Sequence, residues 1–358
     1  GEWVDIKDHE YKPTTNVAQH FSAVLWTGNG TTQSIAGVGF EPDLVWIKSR
    51  NAVSNNMLQD TVRGNTAYLQ SDGTAAENSN TAYNWFRSFD NDGFTVAYQT
   101  SSGIGTAQWN NANTTYVAWC FKAGGAAVLN EEGSIDSQVS ANSDLGFSIV
   151  KYTGAASATV GHGLDVPPEL IITKSLAVTS YWQVYAAPLG KDNLLQLNTT
   201  GAAIPISNYW GTNSPTKTVF GVSTNAVHNP ASGVNIAYCF ASKRGVSKVG
   251  SYTGTGAAGK KIYTGFEPAF VMVKSTTSAT WIIVDNKRNT SDPRAKIIQP
   301  NLNSAEIDLK TSYSIDCMFF HRDGFSIEDN NSSRNASSTN YIYYAVAKNT
   351  NETSLIPD

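Results

Sequence analysis

Apolar positions along this chain recur every second residue or fall in short unbroken runs, bounded by Gly, Pro, Asn and Asp, as in FSAVLWTG at 21–28 and GFEPDLVWIK at 39–48. That pattern predicts β-strands, half-buried where it alternates and covered on both faces where it is continuous. No segment keeps a helical period for three turns. Pro42, Pro168 and Pro268 stand just ahead of the runs LVWIK, LIITK and FVMVK, and they mark where strands begin, because proline cannot donate inside a central strand. Asp92-Gly93 and Asp323-Gly324, flanked by Phe and β-branched residues, predict tight hairpin turns in which glycine supplies a positive φ.

The pattern repeats three times in a fixed order. FSAVLWTG, GFEPDLVWIK, DGFTV at 92–96 and TYVAWCFK at 115–122 form the first copy. FSIVKYTG at 147–154, GLDVPPELIITK at 163–174, VFGVS at 219–223 and NIAYCFA at 235–241 form the second. SKVGSYTG at 247–254, GFEPAFVMVK at 265–274, DGFSI at 323–327 and YIYYAVAK at 341–348 form the third. Trp26 to Lys48, Tyr152 to Lys174 and Tyr252 to Lys274 each span 22 residues, and Asp60, Tyr185 and Asp285 follow the lysines eleven or twelve residues on. Copies one and three continue alike, Asp60 to Arg63 and Asp285 to Arg288.

A period of about 100 residues is that of a domain rather than a solenoid repeat. The fold class expected is therefore all-β: three tandem antiparallel β-sandwich domains, jelly-roll-like or immunoglobulin-like. The expected boundaries are an arm or the end of a preceding domain at 1–20, sandwiches at 21–122, 147–241 and 247–348, a linker or extra hairpin at 123–146, and a tail at 349–358.

Composition narrows the function classes. Of 358 residues, 41% are hydrophobic and only 15% charged, which fits neither disorder nor a charge-rich bundle. Net charge is -4 with Lys and Arg scattered, so nothing drives nucleic-acid binding by counterion release, and no nucleic-acid partner is expected. No run approaches eighteen apolar residues, so no membrane insertion is expected. The chain opens on Gly1 without a leader pattern, as expected of a processed product or a portion of a longer polypeptide. Three distant cysteines, Cys120, Cys239 and Cys317, make neither a disulfide framework nor a metal knuckle.

Candidate chemistry is sparse. GTGAAGK at 254–260 satisfies the glycine spacing of a phosphate loop, but Lys261 replaces the magnesium-binding hydroxyl, a strand-like IYTGF follows where a helix is needed, and the slot reads GNGTTQS or GAASATV in the other copies. The expectation is a hairpin connection, with no cofactor. The five histidines form no metal pair, no nucleophile elbow or zinc helix occurs, and Asp90, Asp92, Glu131 and Glu132 sit in turn-like stretches. Neither a metal nor an enzyme activity is expected. Cys120 and Cys239 share a slot that is Ala345 in copy three, which reads as a buried small residue. Asp60 with Arg63 and Asp285 with Arg288 read as ion pairs holding a loop. Nine Trp and sixteen Tyr offer wide contact area at low entropy cost, and core packing claims most of them. Trp85, Trp109, Tyr209 and Trp210 lie in loop-like stretches outside the shared strands and are the candidate exposed, ligand-binding aromatics.

The strings GFEPDLVWIKSR, LQDTVRG, LQSDGTAAE, SFDNDGF, TYVAWCFKAGG, GSIDSQVSAN, GFSIVKYTG and YTGFEPAFVMVK closely resemble an uncharacterised tandem repeat domain of virion structural and tail-fibre-like proteins of marine, notably cyanobacterial, bacteriophages. The resemblance runs from about residue 21 to 348 and brings no catalytic or binding residues with it. It implies a virion location, other virion proteins as partners, and one of two roles. One is a tail-fibre host-attachment module that binds a cell-surface glycan; the other is a capsid decoration, knob or head fibre whose role is structural. Self-association as a homotrimer is expected from the same context.

Overall fold

The computed structural model describes residues 15–79, 84–98, 108–223 and 229–348. Most of the expected arm, with Trp3 and His9, lies outside the described residues, as do His228 and the tail at 349–358. After a 3₁₀ turn at Val17–Gln19, the first unit holds β1 (Phe21–Thr27), β2 (Gln33–Ala36), β3 (Leu44–Ser49), β4 (Met57–Asp60), β5 (Ala67–Gln70), β6 (Asn78–Ser79), β7 (Phe86–Asp90), β8 (Gly93–Val96) and β9 (Thr115–Phe121). The hairpin β10 (Val128–Asn130) and β11 (Ser137–Asn142) precedes the second unit, β12 (Phe147–Thr153), β13 (Ala158–Gly161), β14 (Leu170–Ser175), β15 (Gln183–Ala186), β16 (Asn193–Gln196), β17 (Ile204–Pro205), β18 (Val219–Val222) and β19 (Val234–Phe240). The third unit runs β20 (Ser247–Thr253), β21 (Lys260–Tyr263), β22 (Pro268–Ser275), β23 (Ile282–Asp285), β24 (Lys296–Ile297), β25 (Ile307–Asp308), α1 (Leu309–Tyr313), β26 (Met318–His321), β27 (Gly324–Ile327) and β28 (Asn340–Ala347).

The protein is all-β and antiparallel, and one sheet order recurs. The larger sheets contain β1-β9-β3-β4, β12-β19-β14-β15 and β20-β28-β22-β23, and the smaller ones are β2-β8-β7, β13-β18 and β21-β27-β26. The segment at 123–146 takes the hairpin form, with β10 and β11 extending the second larger sheet beside β12. GTGAAGK joins β20 to β21, which lie in different sheets, so it is a crossover between layers rather than the expected hairpin, and a strand follows it.

Two glycine motifs have a steric cause. The glycine closing each WTG or YTG is overhung by the loop before the last strand: a Cβ on Gly28, Gly154 or Gly254 would lie 2.2, 2.4 or 2.2 Å from the carbonyl oxygen of Asn111, Pro230 or Ala336. At Gly93 and Gly324 close approach again decides, since a Cβ would meet the carbonyl oxygens of Ile35 and Ile262 at 1.9 and 2.0 Å. Gly93 has the positive φ expected of the turn, +153°, and Gly324 does not, so strand crowding is the cause the two share.

Strand periodicity assigns the cores. In β3 and β9, Leu44, Trp46, Val117, Trp119 and Phe121 face one core while Val45, Ile47, Tyr116, Ala118 and Cys120 face another. Both faces are buried, which is why these strands read as continuous apolar runs. The second set fills the space between the two sheets of the first unit, and a matching core occupies the second unit. The first set meets its counterparts from the other units, including Phe147, Ile172, Phe240, Phe270, Met272 and Tyr344, in one shared core. The larger sheets thus face each other and the smaller sheets lie outside.

Candidate functional site: the unit junctions and the loop end

The shared core is sealed by three equivalent junctions that close the units into a ring. Lys48, Lys174 and Lys274 sit next to last in β3, β14 and β22, at corresponding positions as the spacing of 22 predicts. Each ammonium is buried and reaches into a neighbouring unit. Lys48 donates to Asn303 O at 3.1 Å and also to Ser54 O; Lys174 donates to Thr74 O at 3.3 Å; Lys274 donates to Thr200 O at 3.5 Å. The same three carbonyls accept the backbone N–H of Ser54, Ser180 and Ala279, each at 2.9 Å. A return bond follows in every case: Glu306 N–H to Arg50 O, Glu77 N–H to Leu176 O and Ala203 N–H to Thr276 O, at 2.8, 3.1 and 2.8 Å. Side chains repeat the pattern, with Trp182 Nε1 on Gln70 O, Trp281 Nε1 on Gln196 O, and Asn56 Nδ2 on Leu302 O in place of a tryptophan. Unit two grips unit one, unit three grips unit two, and unit one grips unit three. Burial pulls each lysine down to about 8, with Asp72 countering weakly at Lys48.

Deeper in the junctions lie the ion pairs. Arg63 holds Asp60 at 2.6 Å and Glu77 at 3.4 Å, and Arg288 holds Asp285 at 2.6 Å and Glu306 at 3.2 Å. Both arginines are buried on their side chains, so the pairs fix loops as expected. A neighbour reaches each carboxylate: Tyr238 donates to Asp60 at 2.7 Å and Trp119 donates to Asp285 at 3.0 Å. Burial raises Asp285, but the Arg288 charge and the hydrogen bonds outweigh it and hold the carboxyl below the usual range. Strand register corrects the third member of this set. Asp60 pairs with Leu44 and Asp285 with Phe270, whereas Ala186, not Tyr185, pairs with Leu170. The turn in unit three is one residue shorter, which shifts the count from the lysine.

In unit two the whole triad is apolar: Ala186, Leu189 three residues on, and Ala203 where Glu77 and Glu306 stand. Tyr344, equivalent to Tyr238, packs its ring against Phe240 and Phe270, and its buried hydroxyl has no hydrogen-bond partner among the described residues. Where the sheets converge, Leu44, Trp46, Ile172, Phe270, Met272 and Tyr344 help line an apolar cavity of about 20 Å³, about the room of one water molecule and too small for an organic ligand.

The expected exposed aromatics are placed differently. Trp85, Trp109, Tyr209 and Trp210 are 6%, 4%, 8% and 2% exposed, so the exposure on which their assignment rested is absent. Trp85 stacks on Trp109 at 6.3 Å with Tyr68 edge-on, and Tyr209 packs edge-on against Trp210 at 5.1 Å. The loops carrying them fold back between the two sheets, where large rings gain more by burial than in water. The other chemical candidates are likewise packed or hydrogen-bonded. His20 contacts Asn142, His162 contacts Thr216 O and His321 contacts Ser326, and burial lowers His20 and His162. All three cysteines are buried, and burial raises Cys317 to about 11 and the other two higher still. Among the described residues no group of His, Cys, Asp and Glu is arranged to hold a metal, and no helix is long and apolar enough to cross a membrane.

What the ring leaves free is its ends. The loops after β1, β3 and β5, and their equivalents in units two and three, emerge at the end marked by the lysines. The chain enters β1 and leaves β28 at the opposite end, since Phe21 pairs with Phe121 and Val346 with Ser247. The fold and its junctions define an all-β protein built as a ring of three sandwich units. Residues 16–350 match one family, described as a domain of unknown function (DUF7483), and the chain belongs to it. No curated protein and no solved structure matches.

Proposed function

We propose that the chain is a bacteriophage virion structural protein that serves as a tail-fibre-like host-attachment module on the particle surface or tail. The observation that carries the reading is the separation of ends: both points where the described chain enters and leaves the ring lie at one end, and loops of all three units gather at the other. A rigid scaffold that holds many loops away from its own attachment point is the arrangement recognition surfaces use. The resemblance of its sequence strings to virion repeat domains supplies the context of this proposal. Partners in this reading are other virion proteins, further copies in a homotrimer, and a glycan of the host surface; no catalytic step, nucleic acid or membrane insertion enters it. The junctions are already closed within one chain, so a trimer forms through outer surfaces and avidity comes from repetition.

Capsid decoration is the second reading. The three-fold arrangement favours it, because a capsid three-fold axis offers three equal seats to three similar units. The test that separates the two is binding of bead-displayed protein to cyanobacterial host cells. Attachment predicts retention of the beads by cells of the host and not by resistant strains; absence of retention in multivalent form refutes it and leaves decoration.

A further inference from the structure

The hairpin of β10 and β11 has no counterpart in the other units, and β10 is the outermost strand of its eight-stranded sheet. That edge is unguarded. Val128 and Leu129 are 65% and 55% exposed, and residues 123–130 hold neither a proline nor a charge, whereas the opposite edge strand, β17, ends in Pro205. Natural sheets protect such edges with charge or proline, because unpaired N–H and C=O groups recruit another strand. Directly after β10 come Glu131 and Glu132, both exposed, with Asp136 exposed in the same loop, and 123–150 contain no Lys or Arg. Unit three carries the converse. Its β21 is the outermost strand of the smaller sheet and reads Lys260-Lys261-Ile262-Tyr263, with Lys261 exposed and Tyr263 66% exposed. The counterpart β2 reads Gln33-Ser34-Ile35-Ala36, and the edge of β13 is already taken within the chain, where Ile135 of the hairpin loop bridges Val160. Among the described residues none of Glu131, Glu132, Asp136, Lys260 and Lys261 forms an ion pair, and Glu328, just past β27, accepts from Ser326.

We infer that the chain associates head to tail with a second copy, β10 of one molecule adding as an antiparallel strand to β21 of the next. The inference rests on the self-association in the reading above and gives it its surfaces. Strand direction favours this pairing. β10 runs toward the lysine end, since Asn130 pairs with Ser137 and Ser137 with Tyr152. β21 runs away from that end, starting after the loop 254–259 and reaching Tyr263 opposite Gly324. Two copies side by side with their ring axes parallel therefore bring these strands together antiparallel. With Leu129 opposite Tyr263, the same register sets Glu131 opposite Lys261 and Glu132 opposite Lys260, so one alignment satisfies the apolar pair and both charge pairs. Pairing of β10 with β10 of another copy, centred on Leu129, would set these acids against Ala126 and Ala127 instead. Exposed charge pairs are individually weak, so they choose partner and register, while main-chain bonds and the apolar pair supply affinity. The two surfaces are different patches of one chain, so the contact is heterologous and repeats from copy to copy until a ring closes, with the trimer as the expected size.

The test is light scattering and non-reducing electrophoresis on the full chain. The expected result is a mass of several copies at micromolar concentration. Association should weaken at least about tenfold in Glu131→Lys/Glu132→Lys and in Lys260→Glu/Lys261→Glu, because each sets like charges against each other, and should recover when all four changes are combined in one chain. Leu129→Cys/Tyr263→Cys should cross-link copies on oxidation, since directly opposed residues lie within disulfide reach, and Leu129→Cys alone should not. All of these side chains are exposed or half-buried, and an unaltered melting temperature shows that the variants fold. Oligomers that survive both charge reversals, a combined variant that stays dissociated, no cross-link in the double cysteine variant, or a cross-link through Leu129→Cys alone overturns this pairing while leaving self-association standing. A chain that stays monomeric overturns both.

Discussion

Replacing Tyr344 by Phe should stabilise the protein, whereas the same change at Tyr238, its equivalent one unit earlier, should destabilise it. The Tyr238 hydroxyl donates at 2.7 Å to the buried Asp60 carboxylate, and a hydrogen bond to a charged group is worth about 1.5–3 kcal/mol. Its removal also leaves Asp60 leaning on Arg63 alone among side chains of the junction. At Tyr344 the hydroxyl is buried with no hydrogen-bond partner among the described residues, and carrying such a group costs about 1–3 kcal/mol. Deleting it returns about half of that once the vacated volume is set against the gain, on the order of 1 kcal/mol. The two variants should therefore differ by about 3 kcal/mol, with opposite signs. Unfolding entropy of about 2.1 cal/mol/K per residue over roughly 330 residues makes 1 kcal/mol equivalent to about 1.4 °C, so the shifts are near +1 and -3 °C. Denaturant midpoints resolve the difference better than melting curves, provided the slopes stay equal. Equal destabilisation of both variants, or a drop at Tyr344 alone, would refute the reading that the Tyr344 hydroxyl is buried without a partner while that of Tyr238 is paired.

Lysine titration gives a second test. Lys274 lies at about 8 in the folded protein against an ordinary 10.5, so between those values the unfolded chain keeps a proton that the folded chain has released, and the stability from this group rises with pH. The gap between wild type and Lys274→Met should move in favour of wild type by on the order of 1 kcal/mol between pH 7.5 and 9.5, with the common thiol and phenol contributions cancelling in the comparison. Asp285 works in the opposite range: its folded carboxyl lies below the usual value, so its contribution is present at neutral pH and is lost as pH falls through the acid range, and Asp285→Asn should flatten the acid limb of stability against pH. Trp210→Ala should cost about 3–5 kcal/mol in a denaturant titration, as for a buried tryptophan; a loss below 1 kcal/mol would contradict its place between the sheets.

Much of this architecture is legible in the sequence, because strand patterning and unit order are local. The lysine spacing, the shared slot of Cys120, Cys239 and Ala345, and the start of β3, β14 and β22 at or just after a proline all follow from matching one copy to the next. Ring closure does not follow, since Lys48 meets Asn303 and Trp119 meets Asp285 across most of the chain, and no copy carries its own partner. The burial of Trp85, Trp109, Tyr209 and Trp210 is hidden in the sequence for a related reason: a loop that folds back between two sheets has the same composition as one that projects into water. Counting eleven residues from the lysine matches Tyr185 to Asp285, and only the pairing of Ala186 with Leu170 shows that the turn in unit three is one residue shorter.

The attachment reading, which proposes that the chain is a virion protein, is tested most directly by raising an antibody against the chain and imaging labelled cyanobacterial phage particles by electron microscopy. The account predicts gold at the outer ends of tail fibres, with a Fab against the loop after β3 marking the tip. Label distributed over the head, or confined to the capsid three-fold positions, would contradict it.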